Sequence, residues 1–261
     1  MSTKALLVVS FGTSYPHALE QDIEATERAI ADALPDRTLF RAFTSGMILR
    51  KLAKRDGVEI DDVPAALARI CAEGYTDVVV QPTHIMNGEE YDKLCTQAAP
   101  WAEQLDRLRI GAPLLTAVED YQAAAAAVMA QFDPPAPDEA LVLMGHGTGH
   151  FANACYLKLE YMLHDAGWKR AFLGTVEGYP ALEEVRRRLA ECQGVRKVLL
   201  TPFMLVAGDH ANNDMAGPDP DSWKNILEAD GYTVNCRLAG LGEYPGIRAI
   251  FAAHAQAAAR E

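Results

Sequence analysis

Short aliphatic runs alternate with amphipathic stretches along the whole chain. The runs at 6–10 (LLVVS), 38–43, 77–81 (DVVVQ) and 108–112 read as buried strands. Between and after them, 21–34, 47–54, 62–73, 88–104 and 120–132 carry helical spacing, with Pro100 a break in the fourth. The alternation resumes after residue 138. Strands are predicted at 140–144 (ALVLM), 170–175, 197–201 (KVLLT) and 233–238, and helices at 151–165, 180–191, 222–230 and 246–260. Strands alternating with helices imply right-handed crossovers and largely parallel sheets, an α/β fold.

The segment Asp133-Pro134-Pro135-Ala136-Pro137-Asp138 interrupts the pattern with a stiff connector. We therefore expect two similar lobes, each a mainly parallel sheet flanked by helices, with a cleft between them. The N-terminal α/β lobe is 1–132. The C-terminal α/β lobe is 139–261, its terminal helix free to pack back on the first lobe. The halves echo one another. Strand-then-Phe11-Gly12-Thr13 matches strand-then-His146-Gly147-Thr148, Ser45-Gly46 matches Glu177-Gly178, and Gly88-Glu89-Glu90 matches Gly208-Asp209-His210. Duplication of one α/β unit accounts for all three. The alternative is that such loops need Gly and Pro in any case.

With 261 residues, 49% of them hydrophobic, the chain can bury a sizeable core. The net charge of −12 argues against a nucleic-acid or anionic-membrane surface, though not against a local basic pocket. The five cysteines (Cys71, Cys95, Cys155, Cys192, Cys236) form no C-x-x-C pair, which fits a reducing cytoplasm. The apolar run Ala5–Val9 is too short for a signal peptide, and no stretch approaches a membrane span. A homo-oligomer is compatible with the pattern.

Ligands of open parallel sheets bind beyond the carboxyl ends of strands. Three polar residues of the second half fall there: His146 in Gly145-His146-Gly147-Thr148, Glu177 after 170–175, and His210 in Ala207-Gly208-Asp209-His210-Ala211-Asn212-Asn213. Two imidazoles and a carboxylate suit a divalent first-row metal. Each has a plainer reading: a carbonyl-bonded histidine, a helix-capping carboxylate, a solvated turn. His17, His164 and His254 read as surface residues, His84 as a strand-end residue near the cleft, and His150 as a neighbour of the glycine loop. The glycine spacing is not G-x-G-x-x-G, so no dinucleotide fingerprint is present, and no G-x-S-x-G elbow occurs.

Several segments together carry a family resemblance. They are Leu7–Ser14, Gln81–Tyr91 (QPTHIMNGEEY), Met144–Thr148, Val176–Pro180 (VEGYP) and Pro202–Met215 (PFMLVAGDHANNDM). The chain resembles the sirohydrochlorin cobalt chelatases of anaerobic cobalamin biosynthesis over nearly its whole length. These are class II, ATP-independent chelatases with the two-lobed fold of protohaem ferrochelatase. The resemblance implies His146, Glu177 and His210 as metal ligands, and His146, His210 and an acid of the first lobe, Glu90 or its neighbour Glu89, as catalytic groups. It implies cobalt(II) as substrate metal, a tetrapyrrole as the other substrate, and neither nucleotide nor organic cofactor.

Inserting a metal into a tetrapyrrole removes two pyrrole protons and strips water from the ion. A neutral imidazole accepts a proton at neutral pH, and open coordination positions let macrocycle nitrogens replace protein ligands. By the duplication, Phe11, Ser45 and Glu90 stand where His146, Glu177 and His210 stand, so the first lobe is expected to grip the ring. Phe11 suits a flat macrocycle, and the loop Gly12-Thr13-Ser14, with Ser45 and Glu89, lies where substrate would sit. Arg50, Lys51 and Lys93 are basic candidates at the rim. Irving–Williams preference does not select cobalt, so an iron or nickel chelatase is the nearest alternative. A non-catalytic tetrapyrrole or metal carrier would use the same cleft. A phosphoryl-transfer enzyme with His146 as nucleophile is disfavoured, because Gly145 stands where histidine phosphatases have arginine.

Overall fold

The computed structural model describes residues 3–261. Four strands build the first sheet: β1 (Lys4–Ser10), β2 (Thr38–Phe43), β3 (Asp77–Pro82) and β4 (Arg107–Ile110). Four more build the second: β5 (Glu139–Gly145), β6 (Ala171–Thr175), β7 (Lys197–Pro202) and β8 (Thr233–Cys236). All pairings are parallel, in the orders β2-β1-β3-β4 and β6-β5-β7-β8.

The first sheet is joined by helices α1 (Pro16–Ala18), α2 (Ala25–Ala33), α3 (Gly46–Asp56), α4 (Val63–Ala72) and α5 (Glu89–Ala98). A π-helical turn, Leu19–Glu24, links α1 to α2, so the helix expected at 21–34 starts earlier and is not regular. Helix α6 (Val118–Met129) leads to the proline connector. Helices α7 (Cys155–Asp165), α8 (Leu182–Glu191) and α9 (Trp223–Ala229) join the second sheet. The helix expected over 88–104 is α5 followed by a 3-10 segment, Ala99–Glu103, because Pro100 cannot continue the α-helical ladder.

Buried on both faces, the central strands show period-2 sorting rather than polar alternation. In β1, Ala5, Leu7 and Val9 enter an outer core with Val63, Leu67 and Ile70 of α4. Leu6 and Val8 face the other way, into a core shared by both lobes through Ile30, Tyr121, Leu141, Leu143 and Tyr156. The last helix, α10 (Pro245–Arg260), packs on α2, α6, β3 and β4, all of them chain segments that precede the proline connector. Its apolar residues Ile247, Ile250 and Phe251 are buried there.

The two sheets repeat one another bond for bond at their carboxyl ends. Thr44 N–H donates to the Ser10 carbonyl and Val176 N–H to that of Gly145. Ser45 N–H donates to the Phe11 carbonyl at 3.2 Å, and Glu177 N–H to that of His146 at 2.7 Å. Thr83 N–H reaches the Val9 carbonyl, and Phe203 N–H that of Met144. The strand registers Ser10↔Phe43 and Gly145↔Thr175 give the same alignment. Phe11 therefore occupies the backbone place of His146, and Ser45 that of Glu177.

Candidate metal and substrate site

The order β6-β5-β7 places a topological switch point between β5 and β7, where crossovers leave in opposite directions and open a crevice. His146 follows β5 at this point. A Cβ on Gly145 would lie 2.5 Å from the Tyr156 ring, and one on Gly147 2.5 Å from the Gly178 nitrogen. Gly147 also has φ +84°, a conformation that costs little only for glycine. Tight backbone packing on both sides leaves the His146 side chain outside, 44% exposed. Its Nδ1–H donates to the Gly147 carbonyl at 2.8 Å, which leaves the lone pair on Nε2.

Glu177 follows β6, and its Oε2 lies 4.0 Å from His146 Nε2. His210 stands at the entrance of a π-helical turn, Ala211–Met215, in the loop after β7. Its Nδ1–H donates to Asp214 Oδ2 at 2.6 Å, so its lone pair too is on Nε2. The two imidazoles meet edge to face, with centroids 4.8 Å apart and planes at 83°. One ligand atom from each of His146, Glu177 and His210 falls within 4.8 Å of the others. Two neutral nitrogen donors and one carboxylate oxygen, half open to solvent, can hold a divalent ion while leaving positions for other ligands.

In the first lobe Phe11 is 45% exposed. The Phe43 ring fills the place a Cβ on Gly12 would need, and Gly12 has φ +101°. Thr13 and Ser14 are buried; Thr13 Oγ1 accepts the Tyr15 N–H, and the Ser14 carbonyl accepts from Arg55 at 2.6 Å. Ser45 is buried as the N-cap of α3, its Oγ accepting the Ile48 N–H. Glu89 is exposed at the start of α5. Glu90 is half-buried; its Oε2 is enclosed without a hydrogen-bond partner and lies 3.6 Å from Lys93 Nζ. Lys93 Nζ also donates to the Thr44 carbonyl at 2.7 Å.

The remaining histidines sort by environment. Both ring nitrogens of His84 are enclosed and unpartnered, and burial pushes its pKa down to about 4, so it is neutral at pH 7. His150 Nδ1 accepts the Ala152 N–H, while Nε2 lies 3.6 Å from Asp92 of the first lobe. His164 and His254, read above as surface residues, are half-buried and bonded. His164 Nε2 donates to the Ala171 carbonyl at 2.7 Å. His254 ties α10 to the first lobe through the Ala112 carbonyl and Asp120 Oδ1. Their helical spacing was visible, but the neighbours that cover them come from distant segments.

Sequence reasoning assigned no role to Asp214 or Asp22. The i,i+4 spacing of His210 and Asp214 is a signal for the former. For the latter there is none: the Asp22 carboxyl, pushed up to about 7 chiefly by burial, accepts the Ala207 N–H across the lobe boundary.

Among solved structures, SirB from Bacillus subtilis with Fe3+ superposes with a TM-score of 0.68 at 15% identity, covering 98% of this chain and 96% of that one. CbiX, described as the terminal enzyme of sirohaem biosynthesis in denitrifying bacteria, superposes at 0.57 with 20% identity, covering 98% and 99%. The architecture is thus that of the two-lobed chelatases. The model of the family described as cobalt chelatase (CbiK) matches residues 4–260. A sirohydrochlorin cobaltochelatase of Salmonella typhimurium is 47% identical over 251 residues, 96% of this chain and 94% of that protein. The sirohydrochlorin cobaltochelatase CbiKC of Nitratidesulfovibrio vulgaris is 35% identical over 263 residues, 99% and 91% respectively. The chain belongs to the cobalt chelatase (CbiK) family.

Proposed function

We propose that this enzyme inserts cobalt(II) into sirohydrochlorin, with His146, Glu177 and His210 as the ligands of the incoming ion. The observation that carries the reading is the convergence of one donor atom from each of these residues within 4.8 Å, at the ends of three adjacent strands. The engaged Nδ1 atoms support it, since each imidazole then presents Nε2 to the cleft. The relatives' names supply the tetrapyrrole.

Insertion requires a weak enough hold. Three donors and an exposed Glu177 leave room for pyrrole nitrogens to enter the ion's coordination sphere as water and protein ligands depart. One imidazole, once released from the ion, takes a pyrrole proton, and Glu90 of the first lobe is our candidate to receive the other. Phe11, exposed at the tip of a loop that the buried Gly12–Ser14 and Ser45 hold in place, is the first-lobe group that packs against the macrocycle. No organic cofactor or nucleotide enters this scheme. Five unpaired cysteines fit a cytoplasmic site of action. Among the described residues no helix is long and apolar enough to cross a membrane.

Absorption spectra of sirohydrochlorin with cobalt(II), iron(II) or nickel(II), with and without the enzyme, test the proposal. Multiple turnover with cobalt(II) is expected. Stoichiometric uptake without turnover would make the protein a carrier, and faster insertion of iron or nickel would reassign the metal.

A further inference from the structure

The loop that carries His210 belongs to the second lobe, but the first lobe holds it. Asp22 lies in the π-helical turn Leu19–Glu24 and is 1% exposed. Its Oδ2 accepts the Ala207 N–H at 3.1 Å. A Cβ on Gly240 would fall 2.5 Å from both Asp22 carboxylate oxygens, and one on Gly242 2.4 Å from the Asp22 carbonyl oxygen. Leu241 N–H and Gly242 N–H donate to the carbonyls of Met204 and Leu205, each at 2.9 Å. The carboxyl is therefore seated where the 204–207 segment and the 240–242 segment meet.

From Ala207 onward the loop is pinned at each step. Asn212 Nδ2 donates to the Ala207 and Gly208 carbonyls at 3.1 and 2.7 Å. Tyr15 Oη, again from the first lobe, donates to Asp209 Oδ1 at 3.0 Å. His210 lies inside the pinned stretch. A buried carboxyl with one enclosed oxygen unpartnered is a costly way to satisfy a single N–H. π-Helical turns, in addition, recur at functional sites.

We infer that Asp22 is a positioning residue for cobalt binding: a first-lobe carboxyl that sets where the second-lobe imidazole of His210 stands. The inference rests on the proposed role of His210 as a ligand. It makes metal affinity depend on the contact between lobes, which neither lobe supplies alone.

The test is cobalt(II) titration calorimetry of the full-length protein, with KM for cobalt and for sirohydrochlorin measured separately. Asp22→Ala should weaken cobalt binding about tenfold and raise the cobalt KM, leaving the sirohydrochlorin KM unchanged. Asp22→Asn keeps an acceptor oxygen for Ala207 and should recover most of the affinity. Asp22→Glu keeps the carboxyl but displaces the acceptor by one methylene against Gly240, and should not recover it. A folded Asp22→Ala variant with cobalt affinity within about twofold of wild type overturns the inference, while loss of binding in His210→Ala leaves the ligand assignment standing. If Asp22→Ala does not fold, wild-type affinity in Asp22→Glu overturns it equally. Unchanged cobalt affinity in His210→Ala would overturn both.

Discussion

Glu177 and His146 are joined twice. The Glu177 N–H donates to the His146 carbonyl at 2.7 Å, and Glu177 Oε2 stands 4.0 Å from His146 Nε2. The first contact is ordinary parallel-strand continuation beyond β5 and β6. It brings the side chains of two residues far apart in the chain to the same side of the crevice. The second contact is the space between two donors that an ion can bridge. The main chain thus sets the separation, and the chemistry follows from which side chains it carries.

Removing either imidazole should stop the reaction without unfolding the protein. His146 and His210 lie in loops and are partly exposed, so neither supports a core. His146→Ala and His210→Ala should each lower kcat/KM for chelation on the order of 100-fold or more, with melting temperature little changed. Near-normal turnover in either folded variant would refute the ligand assignment.

Asp214 fixes the His210 ring through its 2.6 Å bond to Nδ1. Asp214→Ala should weaken cobalt(II) binding by about 10- to 100-fold, as outer partners of metal-bound histidines generally do. Asp214→Asn, which can still accept the Nδ1–H, should lose less. Cobalt calorimetry on the two variants distinguishes a ring-orienting role from simple surface charge, for which both losses would be equal.

The backbone equivalence of Phe11 and His146 predicts a division of labour. Phe11→Ala should raise the sirohydrochlorin KM roughly tenfold, the size of one lost aromatic contact, with the cobalt KM unmoved. His146→Ala should act on cobalt affinity instead. Equal effects of the two substitutions on cobalt affinity would rule the division out.

Asp22 should leave a signature in the pH dependence of stability. Its carboxyl titrates near 7 in the folded protein because burial disfavours the charge and Glu243 adds to the effect, whereas the unfolded value is near 3.8. Between those values the folded state binds more protons than the unfolded state, so this group makes stability fall as pH rises from about 4 to about 7. Below pH 4 the contribution is fully present. His84 acts in the opposite sense: burial lowers its pKa to about 4, so stability falls as pH drops from 6.5 toward 4. Asp22→Asn should flatten only the first of these. By urea unfolding, the variant should gain on wild type by up to about 4 kcal/mol between pH 4 and pH 8. A pH-independent difference would show that Asp22 does not carry a raised pKa.

Much of this protein was legible along the chain. Aliphatic runs marked the central strands β1, β3 and β5, because a strand buried between two helical layers has no polar side to show. The repeated Gly-containing loops marked the carboxyl ends of strands, because Gly12 and Gly147 need backbone angles that other residues resist. They placed Phe11, Ser45, His146 and Glu177 at strand ends. What the chain could not display was convergence. His146, Glu177 and His210 meet only because β5, β6 and β7 lie side by side in parallel register, and register is a property of the sheet rather than of any one segment. The same holds for the seat of α10 on the first lobe, for the burial of His254, and for the Asp22 carboxyl against Ala207, 185 residues away. Periodicity reports which face of an element is apolar. Tertiary packing alone decides which other element covers that face, and which polar groups are enclosed when it does.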